Sequence, residues 1–266
     1  MKSKYFFLVF LSVIAISCKT DDASTEDTIE NKTLYFPLKS NSYWTYNNQN
    51  AETGVTRDSL YVVGNQTQNG FTYVNLDANL PASGLMSQLL SENLLRTTET
   101  ELYIYGQIGS PIEGLPDISI PLNDLKLFDT TTDISVDPVI GFSSGSISQE
   151  VMEIPIEINY GITSTMLPTP DASSEGQLQI ASQLSVSMEI IALIVVGPIT
   201  IPFTIMQSQD VLVATNTYTE GIGLTDSQVL ISFTLEDLSD LGVELPLPEN
   251  SSITSTQTID TFFIEE

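Results

Sequence analysis

Apolar and polar side chains alternate along much of this chain with a period of two, the spacing that sends successive residues to opposite faces of a β-strand. The run Glu153–Met166 sets Ile154, Ile156, Ile158, Tyr160 and Ile162 against Pro155, Glu157, Asn159, Gly161 and Thr163. Gln177–Ile190 repeats the pattern with Leu178, Ile180, Leu184, Val186, Met188 and Ile190. Ile199, Ile201, Phe203 and Ile205 make a third run, and Val229, Ile231, Phe233 and Leu235 a fourth. One dry and one wet face per strand argues for antiparallel sheet. Several runs exceed ten residues, and strands that long twist and coil. The pattern therefore predicts a long, curved antiparallel sheet or half-barrel.

Turn chemistry separates these runs at Leu167–Asp171, Gly197-Pro198, Glu220–Gly223 and Pro246–Asn250. Ahead of them the pattern reads as shorter strands, Tyr43–Tyr46, Thr56–Val63, Phe71–Leu76 and Glu99–Gln107, with Asn69-Gly70 as a hairpin turn. One helix is predicted over Ser83–Leu95, where Leu85, Met86, Leu89, Leu90 and Leu94 recur at helical spacing and Ser83 is placed to cap. A single helical turn is expected near Glu236–Leu241, and Gly106–Leu125 reads as a long loop with weak extended pieces. The expected fold is all-β with one short helix packed on the sheet, in one domain over residues 34–266.

The first 33 residues follow a different logic. Lys2 and Lys4 precede a mostly apolar stretch, Tyr5–Ile16, which ends in Ser17, Cys18 and the polar run Lys19-Thr20-Asp21-Asp22. The stretch is too short for an ordinary membrane-spanning helix and has the layout of a secretion signal. Cys18 is the one cysteine in the chain. Its place at the end of the leader makes it the expected lipidation site, with residues 1–17 as a lipoprotein signal peptide. Residues 18–33 carry Asp21, Asp22, Glu26, Asp27 and Glu30 among Ser and Thr, a composition that reads as a flexible acidic tether.

Charge narrows the function classes. The chain has 8 basic and 34 acidic residues, and none of the basic ones lies beyond Lys126. Such a surface cannot neutralise phosphates, which excludes nucleic acid as a partner and disfavours adhesion to anionic headgroups. There is no histidine, which removes the commonest general base and zinc ligand together.

Two segments resemble a pattern of uncharacterised Bacteroidota lipoproteins. Residues 35–46, Tyr-Phe-Pro-Leu-Lys-Ser-Asn-Ser-Tyr-Trp-Thr-Tyr, are similar to their opening strand, with Ser40 where that strand has glycine. Residues 218–224, Tyr-Thr-Glu-Gly-Ile-Gly-Leu, resemble a later turn between strands. The leader around Cys18 resembles a lipobox, and Lys19–Asp22 resembles a surface-export signal. The resemblance implies a curved half-barrel like that of outer-membrane lipoprotein carriers, anchored by lipid in the outer membrane and facing outward. Periplasm-facing attachment is the alternative. It brings no catalytic residues with it.

Candidate chemistry is sparse. Gly141-Phe142-Ser143-Ser144-Gly145 fits the string of a nucleophile elbow but has no histidine partner and reads as a Ser/Gly loop. Gly221-Ile222-Gly223 reads as a turn rather than a phosphate loop. Asp129, Asp133 and Asp137 offer hard oxygen ligands of the kind calcium takes, without the EF-hand pattern, so a solvated acidic loop is preferred over a calcium-stabilised spacer. Trp44, Tyr46, Tyr61, Tyr73, Tyr103 and Tyr105 are candidates for an aromatic sugar platform, although core packing is the commoner use of such residues. The Ile, Leu, Val and Met of Glu153–Val213 either line a concave face sheltering an apolar molecule or close a core, and the core is preferred. The expectation is a non-catalytic binding or structural lipoprotein needing no cofactor and no metal. The alternative is a carbohydrate-binding module or carboxylate-dependent glycoside hydrolase.

Overall fold

The computed structural model describes residues 35–51, 54–112, 114–115, 118–151, 154–170, 172–173, 175–237 and 247–265. Twelve strands form one antiparallel sheet: β1 (Tyr43–Asn50), β2 (Gly54–Gln68), β3 (Phe71–Ala78), β4 (Leu94–Thr97), β5 (Glu101–Gly109), β6 (Ser119–Asp129), β7 (Val139–Val151), β8 (Ile154–Leu167), β9 (Gln179–Val196), β10 (Ile199–Thr219), β11 (Gly223–Thr234) and β12 (Asn250–Phe263). A single described helix, α1 (Leu85–Ser91), lies between β3 and β4.

The connectivity is a plain meander in which every strand pairs with its sequence neighbours, with two exceptions. β1 pairs with β12, bringing the two ends of the chain together, and the sheet's free edges are β6 and β7. Those edges do not drift apart. β6 packs beside β7 and also touches β8 and β9, so the sheet rolls into a near-closed barrel with a seam. At that seam β7 passes close over the β6 backbone: a side-chain carbon on Gly141 would stand 3.3 Å from both Lys126 N and Lys126 O. The elbow-like string thus lies in mid-strand, correcting the loop expected there, and its first glycine serves the crossing.

Apolar side chains point into the barrel. Ile158, Leu184, Val186, Met188 and Ile190 are no more than 1% exposed, so the inner face of β8 and β9 is a packed core and an apolar guest would have to displace side chains. An eight-stranded barrel is about as wide as inward side chains alone can fill. Twelve strands leave more room, and two extra pieces occupy it. Met86, Leu89 and Leu90 of α1 join the core from one side, and Phe36 and Leu38, ahead of β1, join it from another. The outer face of β12 is polar at Ser252, Thr254, Thr256 and Thr258. Among the described residues no helix is long and apolar enough to cross a membrane.

Several expectations need correction. The helix is shorter than Ser83–Leu95: its N-cap is Gly84, Ser83 does not cap it, and Leu94 opens β4. Most of Gly106–Leu125 is strand, with β5 and β6 leaving only a short connection. Pro121 is accommodated because it sits on the edge strand β6, where a missing N–H costs little. Thr56–Val63 is the middle of the 15-residue β2. The turn near Glu236–Leu241 falls largely outside the described residues, as do the leader, Cys18 and the tether.

Candidate functional site

Three clusters of side chains stand out from the plain wall of the barrel. The first joins the two segments that carry the lipoprotein resemblance. Trp44 and Tyr46 point inward from β1 and are fully buried. The Trp44 indole Nε1 donates to the Ile222 carbonyl at 2.6 Å, and the Tyr46 hydroxyl donates to the Leu224 carbonyl at 3.1 Å. Phe36 stacks on Trp44 at 5.6 Å between centroids and meets Tyr218 edge-on at 6.2 Å, while Phe128 meets Tyr218 at 4.9 Å. Gly223 has φ +115°, and a side-chain carbon there would sit 3.3 Å from Trp44 Nε1. Residues 35–46 and 218–224 are therefore the two halves of one lock at this end of the barrel. Burial pushes the Tyr46 and Tyr218 hydroxyls well above their ordinary range, so both stay neutral, and Tyr46 remains a donor to Leu224.

The second cluster is a polar row through the core. Ser182 on β9, Asn216 on β10, Ser227 on β11, Gln257 on β12, Asn48 on β1 and Thr56 on β2 are direct register partners from strand to strand. All but Thr56 are buried. The row ends on α1. Gln257 Nε2 donates to Ser87 Oγ at 2.6 Å, and Ser87 N donates to Gln257 Oε1 at 3.3 Å. Beside it, Asp58 accepts from Ser83 N, Ser83 Oγ and Gly84 N at 2.8–3.0 Å. Burial alone would raise the Asp58 pKa. The Ser83 and Gly84 amides outweigh it and hold the carboxyl below its ordinary value. The row therefore fixes the helix that fills the barrel.

The third cluster is on the outer face of β3–β6. Tyr103, Tyr105 and Phe71 lie on this face with Tyr73 fully buried among them, and the Arg96 guanidinium lies 4.0 Å from the Tyr103 ring and 4.5 Å from the Phe71 ring. Tyr73 and Tyr105 are 5.6 Å apart, and the Tyr73 hydroxyl donates to Asp124 at 2.6 Å. Burial first, then this bond, pushes the Tyr73 pKa up to about 12. Lys126 bridges Glu101 and Asp129 at 2.7 Å each. Burial opposes ionisation of both carboxyls, but the Lys126 bonds prevail and hold them below the usual range. Neither can supply the proton that a glycosidase acid must deliver near neutral pH. The face can offer rings and hydrogen-bonding groups to a neutral ligand. It cannot take an anion without breaking an ion pair.

The sequence-derived sites are thus divided. Of the six aromatic candidates, Trp44 and Tyr46 belong to the core; Tyr73, Tyr103 and Tyr105 share the outer cluster; Tyr61 stands apart and bonds Asp77. Asp129, Asp133 and Asp137 line one open pocket with Lys126, but each accepts from its own loop, at Thr131 N, Ser135 N and Val139 N. Among the described residues no group of three or more acids is arranged to hold a metal ion. Arg96 and Phe71 were missed by sequence reading. The signal available was a rare cation directly before Thr97 in an acidic chain, which is too weak to nominate a site.

No protein-family profile matches the chain, and no curated protein matches it. Among solved structures, the chain is similar to a presumptive lipoprotein from Parabacteroides distasonis, at 9% identity over 88% of this chain and all of that one, with a TM-score of 0.39. It is also similar to a protein of unknown function from Nostoc punctiforme, at 10% identity over 87% of this chain and all of that one, with a TM-score of 0.13. At these scores neither likeness carries an argument about shape or activity. What the coordinates define is a class of architecture: an up-and-down, near-closed β-barrel with a helix fixed inside it.

Proposed function

We propose that this is a lipid-anchored cell-envelope protein, acylated at Cys18 after removal of residues 1–17, whose barrel has a non-catalytic binding or structural role. The observation that supports it is the basic, apolar, small-residue, cysteine order of the first 18 residues, followed at once by the polar run Lys19-Thr20-Asp21-Asp22. Residues 18–33 then link the anchor to the barrel. Attachment to the outer membrane with the barrel facing outward is the preferred placement, in keeping with the Lys19–Asp22 resemblance; protease access on intact cells separates it from a periplasm-facing barrel. Cys18→Ser is expected to move the protein from the membrane fraction to the soluble fraction or to leave it unprocessed. Unchanged fractionation and an unchanged processed size would contradict the proposal.

A second reading, a glycan-binding module, is favoured by the third cluster. Aromatic rings beside carboxylates and a guanidinium on one sheet face suit a neutral sugar, which stacks its C–H face on rings and shares its hydroxyls with polar groups. Titration with soluble neutral oligosaccharides is expected to give saturable binding that Tyr103→Ala combined with Phe71→Ala abolishes. Absence of binding by the parent, or equal binding by the variant, removes this reading.

A further inference from the structure

The alternation that defines β9 stops where the strand approaches its turn into β10. Residues 190–209 contain no charged side chain and are bracketed by Glu189 and Asp210; from 190 to 206 the only polar side chains are Thr200 and Thr204. A strand with one wet face carries a polar residue at every second position, as β9 does at Gln183, Ser185, Ser187 and Glu189. Beyond Ile190 both faces of β9 are apolar, while on β10 Thr200 and Thr204 interrupt one face.

The structure shows where this segment stands. The described pairing of β8 with β9 ends at Ile156 opposite Ala192, and that of β10 with β11 ends at Leu212 opposite Ile231. From Leu193 opposite Pro202 to Val196 opposite Ile199, β9 and β10 have only each other among the described strand pairs. This two-stranded ribbon reaches about 10 Å past the last paired residue of β8, a strand that itself runs on to Ile154. It continues the barrel's inner, apolar face beyond the rim, through Ala192, Phe203, Ile194 and Ile201. Ile199 is 61% exposed and Ile201 49%. A two-stranded ribbon is marginal in water by itself, and one whose side chains are almost all apolar gains from a medium that takes them.

We infer that this hairpin tip inserts into the interfacial layer of an uncharged or zwitterionic lipid surface. Three observations select that occupant. A reach of about 10 Å matches the depth at which amphipathic elements sit at the headgroup–acyl boundary, where edge amides still find hydrogen-bond partners. Pro198 and Pro202 remove two backbone donors, which discourages strand addition by another chain or a second copy. A net charge of −26 opposes both self-association through this end and contact with anionic headgroups. The contact is not a corollary of an anchor at Cys18. The chain enters at the other end of β10, where Phe36 packs on Tyr218.

The test uses a chain beginning at Lys19, which lacks Cys18 and retains every described strand, floated with phosphatidylcholine vesicles. The parent is expected to rise with the vesicles. Ile199→Glu combined with Ile201→Glu is expected to cut the bound fraction at least tenfold with an unchanged Tm, while Phe142→Glu, at an exposed position elsewhere, leaves it intact. A parent that stays in the soluble fraction, a double variant that floats as well as the parent, or an equal loss with Phe142→Glu overturns the inference. None of these outcomes depends on acylation.

Discussion

Trp44→Ala is expected to cost about 3–5 kcal/mol, the usual range for deleting a fully buried tryptophan. The indole is unexposed, stacks on Phe36 and donates to the Ile222 carbonyl. Its removal opens a cavity between the two segments that lock this end of the barrel and leaves a buried carbonyl without its donor. Against a typical stability of about 5–15 kcal/mol, that loss is large. Trp44→Phe keeps most of the volume but not the donor and is expected to cost about 1–3 kcal/mol. Because the chain has one tryptophan, urea unfolding is best followed by circular dichroism. A midpoint shift no larger for alanine than for phenylalanine would show that the lock contributes little.

The second large effect is at Asp58. Asp58→Ala leaves the Ser83 and Gly84 amides without their shared acceptor at the entry to α1 and is expected to cost about 3 kcal/mol, since bonds to a charged acceptor are among the stronger ones. It also predicts a pH dependence. The folded carboxyl titrates below its ordinary value, so the unfolded chain takes up its proton first as pH falls. The stabilisation is therefore complete above the ordinary carboxylate range and is lost as pH drops through the folded value. Glu101 and Asp129 are lowered too and act in the same window. The difference between parent and Asp58→Asn isolates this residue: the gap in Tm between them should narrow from pH 6 to pH 3. A constant gap would contradict the role assigned to the carboxylate.

The strands that sequence reading recovered are those whose inward side chains are uniformly apolar. β8 and β9 alternate strongly because each inward position packs in the core. β12 was invisible for the opposite reason. Its inward residues run Ser251, Ile253, Ser255, Gln257 and Ile259, and the polar ones erase the contrast on which periodicity depends. Gln257 is polar because it meets Ser87 of α1, a long-range requirement that local pattern cannot express. β7 is concealed by Gly141 and Gly145, which answer to the seam and to the neighbouring Tyr160 ring. The helix was read too long because Leu94 keeps helical spacing with Leu90 while its backbone has already joined the sheet. The outer cluster was half legible: tyrosines alternating on β5 were visible, but only pairing across β3–β6 brings Phe71 and Arg96 to them.

The third run, Ile199 to Ile205, was read correctly as strand but not as to its surroundings. Alternation gives the face a residue occupies. Whether another element covers that face depends on where neighbouring strands stop, and here they stop short.

The intact mass of the mature protein, extracted from membranes of cells that express the whole chain, tests the central claim most directly. The account predicts a polypeptide that starts at Cys18 and carries the added mass of a lipid modification at that residue. A polypeptide cleaved elsewhere, or one starting at Cys18 with no added mass, would contradict it.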